Sequence, residues 1–153
     1  MAGHSVVNGE DFWSLGNGER LSIRRRVVYI HDKPVFLKGD VEYNISIGLR
    51  IRSVEEPLIR DRCRAVMEEL GIEGISAKNA YSLSAGRAHL VSIARGFVLD
   101  PEIIFLDEPF TYLDSEKRSL LAKALQRRRA LGRGWLWYHM IWRWLGLLGL
   151  IGL

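Results

Sequence analysis

The chain has 153 residues, 48% hydrophobic and 26% charged, a globular composition long enough for one domain with a packed core. A single cysteine, Cys63, excludes an intrachain disulfide and a cysteine metal cluster, and fits a reducing compartment. The formal net charge of +4 and pI near 9.5 come from arginines spread along the chain, so charge alone gives a solvated surface rather than a nucleic-acid footprint.

The first residues, MAGHSVVNGEDFW, lack the charged and apolar regions of a signal peptide. Residues 5–30 read as strand, turn, strand: Val6-Val7 leads into Asn8-Gly9, Gly16-Asn17-Gly18 marks a second turn, and Val27–Ile30 is a short strand. The Arg24-Arg25-Arg26 run before it reads as a solvated face. Residues 55–70 form an amphipathic helix, with Pro57 in the first turn and Gly71 at the stop. Leu58, Ile59, Cys63, Val66, Met67 and Leu70 make one apolar stripe, so Cys63 and Met67 belong to the core rather than to a ligand set.

The most informative stretch is 83–114. Ser84-Ala85-Gly86 precedes a helix whose apolar positions are Leu90, Val91, Ile93, Ala94, Phe97 and Val98. Serine is a good N-cap, a helix N-terminus presents N–H groups to an anion, and small residues let a phosphate approach the backbone. Pro101 ends that segment. Ile103–Leu106 then forms an apolar run suited to a parallel strand buried on both faces. It ends in Asp107-Glu108-Pro109, two carboxylates where open α/β sheets place their ligands. Residues 115–130 form a further helix, with Leu120, Leu121, Ala124 and Leu125 apolar and Arg127-Arg128-Arg129 as a charged end that complements the helix dipole.

These residues together resemble the ATP-binding cassette (ABC) ATPases. Leu83-Ser84-Ala85-Gly86-Arg87 resembles the signature motif LSGGQ, with alanine at the first glycine and arginine at the glutamine. Ile103–Asp107 resembles the Walker B strand, Glu108 matches the catalytic glutamate, and Thr111-Tyr112-Leu113-Asp114 resembles the D-loop. Pro34, Phe36, Val41, Asn44 and Ile45 fall into the pattern of the Q-loop region, whose glutamine position is taken by His31. The likeness spans roughly residues 5–133, and Asn44–Arg52 resembles importer cassettes for oxyanions, polyamines or sugars.

The resemblance implies an α/β fold: a partial P-loop ATPase core with a helical subdomain at about 44–98, together filling residues 1–134, and an atypical apolar tail at 135–153. It implies the ATP-hydrolysing subunit of an ABC importer, on the inner face of the cell membrane. Its cofactors would be ATP and Mg²⁺; its partners would be a second ATPase subunit and transmembrane permease subunits, with no nucleic acid. Asp107 would hold Mg²⁺ and Glu108 would polarise the attacking water. Ser84, Ala85 and Gly86 would meet ATP held by the partner, with Arg87 facing the nucleotide. Asp114 would link the two sites, and His31 and His139 would take the Q-loop and switch positions.

Two departures qualify this expectation. None of the five lysines, Lys33, Lys38, Lys78, Lys117 and Lys123, follows a glycine, so no Walker A loop GxxxxGK[ST] occurs among the 153 residues. This points to a truncated form that binds ATP poorly alone. The tail holds four of the five tryptophans, and Arg143 is its only fixed charge. It reads as an out-of-frame or truncated end, as a membrane anchor about 28 Å long, or as a buried strand carrying His139. An inactive remnant, a tail-anchored interaction protein, and a cassette ATPase of DNA repair or translation are the alternative functions.

Overall fold

The computed structural model describes residues 6–7 and 10–137. The Asn8-Gly9 turn, His139 and the tail beyond residue 137 lie outside them. Two antiparallel two-residue strands open the chain, β1 (Val6–Val7) and β2 (Glu10–Asp11). Helix α1 (Asn17–Arg25) leads into strand β3 (Val27–Ile30). Helices α2 (Val41–Ile51), α3 (Glu56–Glu69) and α4 (Ala85–Phe97) come next, with single 3₁₀ turns at Glu73–Ile75 and Ala80–Ser82. Strand β4 (Ile103–Leu106), helix α5 (Ser115–Ala130) and strand β5 (Gly134–Trp137) complete the order.

The sheet is three-stranded and parallel, in the order β3-β4-β5. Strand β5 pairs with β4 from Gly134 onward, so the sheet takes in residues 135–137 at the head of the apolar tail. No helix among the described residues is long and apolar enough to cross a membrane.

Helix α4 is the centre of the core. Leu90, Val91, Ile93 and Ala94 are fully buried, and Phe97 nearly so. They pack with Ile45 and Leu49 of α2, Cys63 and Met67 of α3, and Ile104 and Leu106 of β4. The expected α3 stripe is buried except for Leu58, and Gly71 takes the left-handed conformation (φ 65°) that stops the helix. Burial and the nearby Glu42 push the Cys63 thiol up to about 11, which leaves it unreactive at neutral pH.

Three expectations need correction. Residues 17–25 are helical rather than a turn leading to a strand. Glu19 accepts a hydrogen bond from the Gly16 N–H (2.9 Å), closing the helix entry, and α1 buries none of its residues. The run Ile103–Leu106 is not buried on both faces. Ile104 and Leu106 lie with Val28 and Ile30 on the face that meets α4, whereas Ile103 is 38% exposed on the other. Finally, Arg128 is more than part of a charged helix end: it turns inward to Glu69 of α3 (2.6 Å) because the last turns of α5 pass over that residue.

The loop joining β3 to α2 is pinned by Asn44. Its fully buried side chain accepts from the Leu37 N–H (2.8 Å) and donates to the Leu37 and Asp40 carbonyls (3.0 and 2.9 Å). Asn44→Ala should therefore cost about 2 kcal/mol, since it strands the Leu37 amide and the Leu37 carbonyl, while the Asp40 carbonyl keeps the main-chain N–H of residue 44. Urea unfolding checks this, and an unchanged midpoint would show that the loop is held by something else.

Candidate active site at the strand ends

The parallel register that pairs Ile30 with Leu106 sets the loops leaving β3 and β4 side by side. His31 and Asp32 leave β3 next to Asp107, which leaves β4, and the Asp107 N–H donates to the Ile30 carbonyl (3.0 Å). One ligating atom from each of His31, Asp32 and Asp107 lies within 4.8 Å of the other two. The Tyr29 hydroxyl donates to Asp107 Oδ2 (3.2 Å) and fixes that carboxylate. Two carboxylates and an imidazole at one corner suit a divalent cation in charge and donor type.

Glu108, the next residue, is exposed and sits at φ 44°, a left-handed conformation that a side chain adopts only at a cost. Its carboxylate accepts from the Thr111 hydroxyl (3.0 Å), and its carbonyl from the Thr111 N–H (3.0 Å). The turn continues through Tyr112, also left-handed at φ 65°. It ends at Asp114, which caps α5 by accepting from the Lys117 N–H (2.9 Å) and pairing with the Lys117 ammonium. These bonds, the side-chain pair first, hold the Asp114 carboxyl below its ordinary range.

The signature residues occupy the start of α4. Ser84 is the N-cap residue, yet its hydroxyl makes no cap hydrogen bond, and Ser84 and Ala85 are exposed. Gly86 is small for a reason internal to the fold: a Cβ there would stand 2.5 Å from the Tyr112 carbonyl oxygen. Arg87 is exposed and, with Lys78, Lys117 and Glu73, lines a hollow of about 320 Å³.

Sequence reasoning missed Asp32 and His89. His89 is completely buried on α4, and its Nε2 stands 3.1 Å from the Pro109 carbonyl, which can only accept, so Nε2 carries the proton. Nδ1 has no hydrogen-bond partner, although the Asp32 main chain is near it. Burial lowers the His89 pKa and keeps the ring neutral. His89 thus joins helix α4 to the loop after β4. The available signal was a histidine inside an otherwise apolar stripe.

Comparison with known proteins agrees with this arrangement. Residues 2–111 match the family described as ABC transporter. The chain is 32% identical to a probable anion import ATP-binding protein of Haloferax volcanii, covering 82% of this chain and 48% of that one. It is 34% identical to the molybdate/tungstate import ATP-binding protein WtpC of Thermococcus kodakarensis (86% and 39%). With the spermidine/putrescine import ATP-binding protein PotA of Desulfitobacterium hafniense it shares 39% identity (83% and 37%). The chain therefore spans less than half the length of these relatives. The structure of cbiO1 from Clostridium perfringens, part of the ABC transporter complex cbiONQ, superposes with a TM-score of 0.71. That match covers 86% of this chain and 53% of that one at 24% identity, and it shows the same P-loop ATPase fold. With the family match running over residues 2–111 and these relatives aligned over more than four-fifths of the chain, the chain belongs to the ABC transporter family.

Proposed function

We propose that the chain works as the ATP-binding, ATP-hydrolysing component of an ABC importer for a small charged solute, on the inner face of the membrane beside permease subunits. The observation that carries this reading is the contact of Gly86 with the Tyr112 carbonyl. It sets the signature residues against the turn that runs from Glu108 to Asp114, so both halves of a cassette's chemistry share one rigid corner.

Bound Mg²⁺-ATP supplies the phosphoanhydride to be cleaved and a cation that offsets its charge. Asp107 is oriented for that cation by Tyr29. Glu108 takes the role of polarising water, held in its turn by Thr111. Ser84 and Ala85 offer a hydroxyl outside the helix cap and the first-turn amides to a phosphate held by a second cassette. Asp114 and Arg87 flank that face. No GxxxxGK[ST] phosphate loop occurs among these 153 residues. The relatives' names run from anions to polyamines, which supports a charged solute without choosing its sign.

The test is ATP-dependent association with a full-length ABC ATP-binding subunit from the same cell, monitored by light scattering, together with the ATPase rate of the mixture. ATP with Mg²⁺ should promote association and hydrolysis. Ser84→Glu, which sets a carboxylate against the phosphate, should weaken the association about tenfold or more. Association that ignores both ATP and Ser84→Glu would overturn the reading.

A further inference from the structure

We propose that His89 is a positioning residue: its Nε2–H holds the Pro109 carbonyl and so keeps the turn that carries Glu108 in place against Ser84 and Gly86 at the start of α4. The proposal rests on the functional reading of Glu108 and of those two residues, and adds to it the side chain that keeps them together.

The backbone at Glu108 supplies the first argument. A residue with a side chain at φ 44° stays there only where its neighbours over-determine the conformation. On its N-terminal side the Asp107 N–H is tied to the Ile30 carbonyl (3.0 Å). The Thr111 N–H and hydroxyl close the turn from within. Those two bonds travel with the turn and do not fix it relative to α4. On the C-terminal side stands Pro109, which has no N–H and offers only its carbonyl. That carbonyl lies 3.1 Å from His89 Nε2, across 20 residues of chain.

The second argument is the pairing of His89 with Gly86. The two lie one helical turn apart and share a face of α4. Gly86 stands against the Tyr112 carbonyl, whereas His89 reaches the Pro109 carbonyl and sets its ring edge-to-face with Tyr112 (centroids 6.4 Å apart, planes at 71°). The two contacts therefore meet both ends of the turn. The one at Gly86 is steric: it stops the turn from coming closer and does nothing to stop it leaving. The His89 bond is the attraction that opposes departure.

The third argument is the state of the ring. His89 is fully buried and Pro109 is buried with it. Burial disfavours the imidazolium, so the ring keeps a single proton, and the carbonyl before it requires that proton on Nε2. A flat ring with two torsions aims this donor at little cost in rotamer freedom.

The experiment is NMR of the chain and of two variants, joined to association with the intact cassette. In the parent, the His89 ring should carry its proton on Nε2 and exchange it slowly; a proton on Nδ1 overturns the proposal. His89→Leu keeps an apolar volume and removes the donor, while His89→Gln retains an N–H of about the same reach. Amide exchange is followed at Thr111 and Leu113 in the turn, and at Val66 and Met67 in α3. In His89→Leu the turn amides should exchange about tenfold or more faster, beyond any change in α3, and His89→Gln should recover most of the difference. A loss of global stability alone would move all four amides together. Where circular dichroism shows each variant folded, ATP-dependent association should weaken about tenfold in His89→Leu and return in His89→Gln. Turn amides that merely follow those of α3, a glutamine variant no better than leucine, or association untouched by a loosened turn overturns the proposal. If the parent does not associate in ATP while its turn amides respond to His89, the functional reading falls and the placement of the turn by His89 stands. If the parent associates and His89→Leu changes neither readout, only this inference falls.

Discussion

Replacing Glu69 with leucine is expected to lower stability by about 3 kcal/mol, because it leaves a guanidinium buried without its counter-charge. Glu69 and Arg128 pair at 2.6 Å between α3 and α5, and each side chain is only 12% exposed. Arg128 also lies over the Phe97 ring at 3.9 Å, and its Nε has no hydrogen-bond partner. Desolvation already depresses its pKa, so the charge depends on Glu69 to tolerate the site. Arg127 reaches the same carboxylate at 3.5 Å but is 68% exposed and adds little. Removing both charges should behave differently. Glu69→Leu with Arg128→Met deletes the desolvation penalty along with the attraction, and should return to within about 1 kcal/mol of the parent. Urea unfolding of the two single variants and the double closes the cycle. A Glu69→Leu cost below about 1 kcal/mol would show that water reaches Arg128 freely.

Elements were legible wherever burial imposed a period. Strands β3 and β4 and helix α3 announce themselves because their apolar residues must face the core, and α5 because Leu121, Ala124 and Leu125 do. Helix α1 left no such trace: it buries nothing, so no stripe was selected, and its entry depends on one Glu19–Gly16 bond. Arg128 was hidden by the opposite problem. In sequence it is one of three like arginines, and only the crossing of α5 over α3 makes the middle one a core residue.

The site divides along the same line. Asp107, Glu108, Ser84 and Gly86 stand in contiguous motifs whose spacing survives in one dimension. Asp32 stands beside His31 in a polar loop far along the chain from Asp107, and only the β3–β4 register makes them neighbours. His89 hides in an apolar stripe for the same reason: its partner, the Pro109 carbonyl, belongs to another segment. Asp114 was legible as a motif residue, but the structure gives it a second employment as the α5 cap.

Gly86→Ala is expected to cost about 3 kcal/mol, unusually high for adding one methyl group. The added carbon would stand 2.5 Å from the Tyr112 carbonyl oxygen, and that neighbour is backbone, which cannot rotate away as a side-chain tip can. Either α4 slides or the turn from Glu108 to Tyr112 moves. The turn is the weaker member, since Glu108 (φ 44°) and Tyr112 (φ 65°) already hold left-handed conformations that cost side-chain-bearing residues energy. Displacing it would shift Glu108 relative to the signature residues, so ATP-dependent association should fall with stability. Tyr112→Gly removes the penalty at φ 65° and lets the carbonyl yield, so in the Gly86→Ala background it should restore part of the loss. Ala85→Gly, one residue earlier at an exposed first-turn position, should change stability by less than about 1 kcal/mol. Thermal melts of these variants check the ordering. If Gly86→Ala melts with the parent, the close approach of the two backbones does not hold α4 to the turn from Glu108 to Asp114.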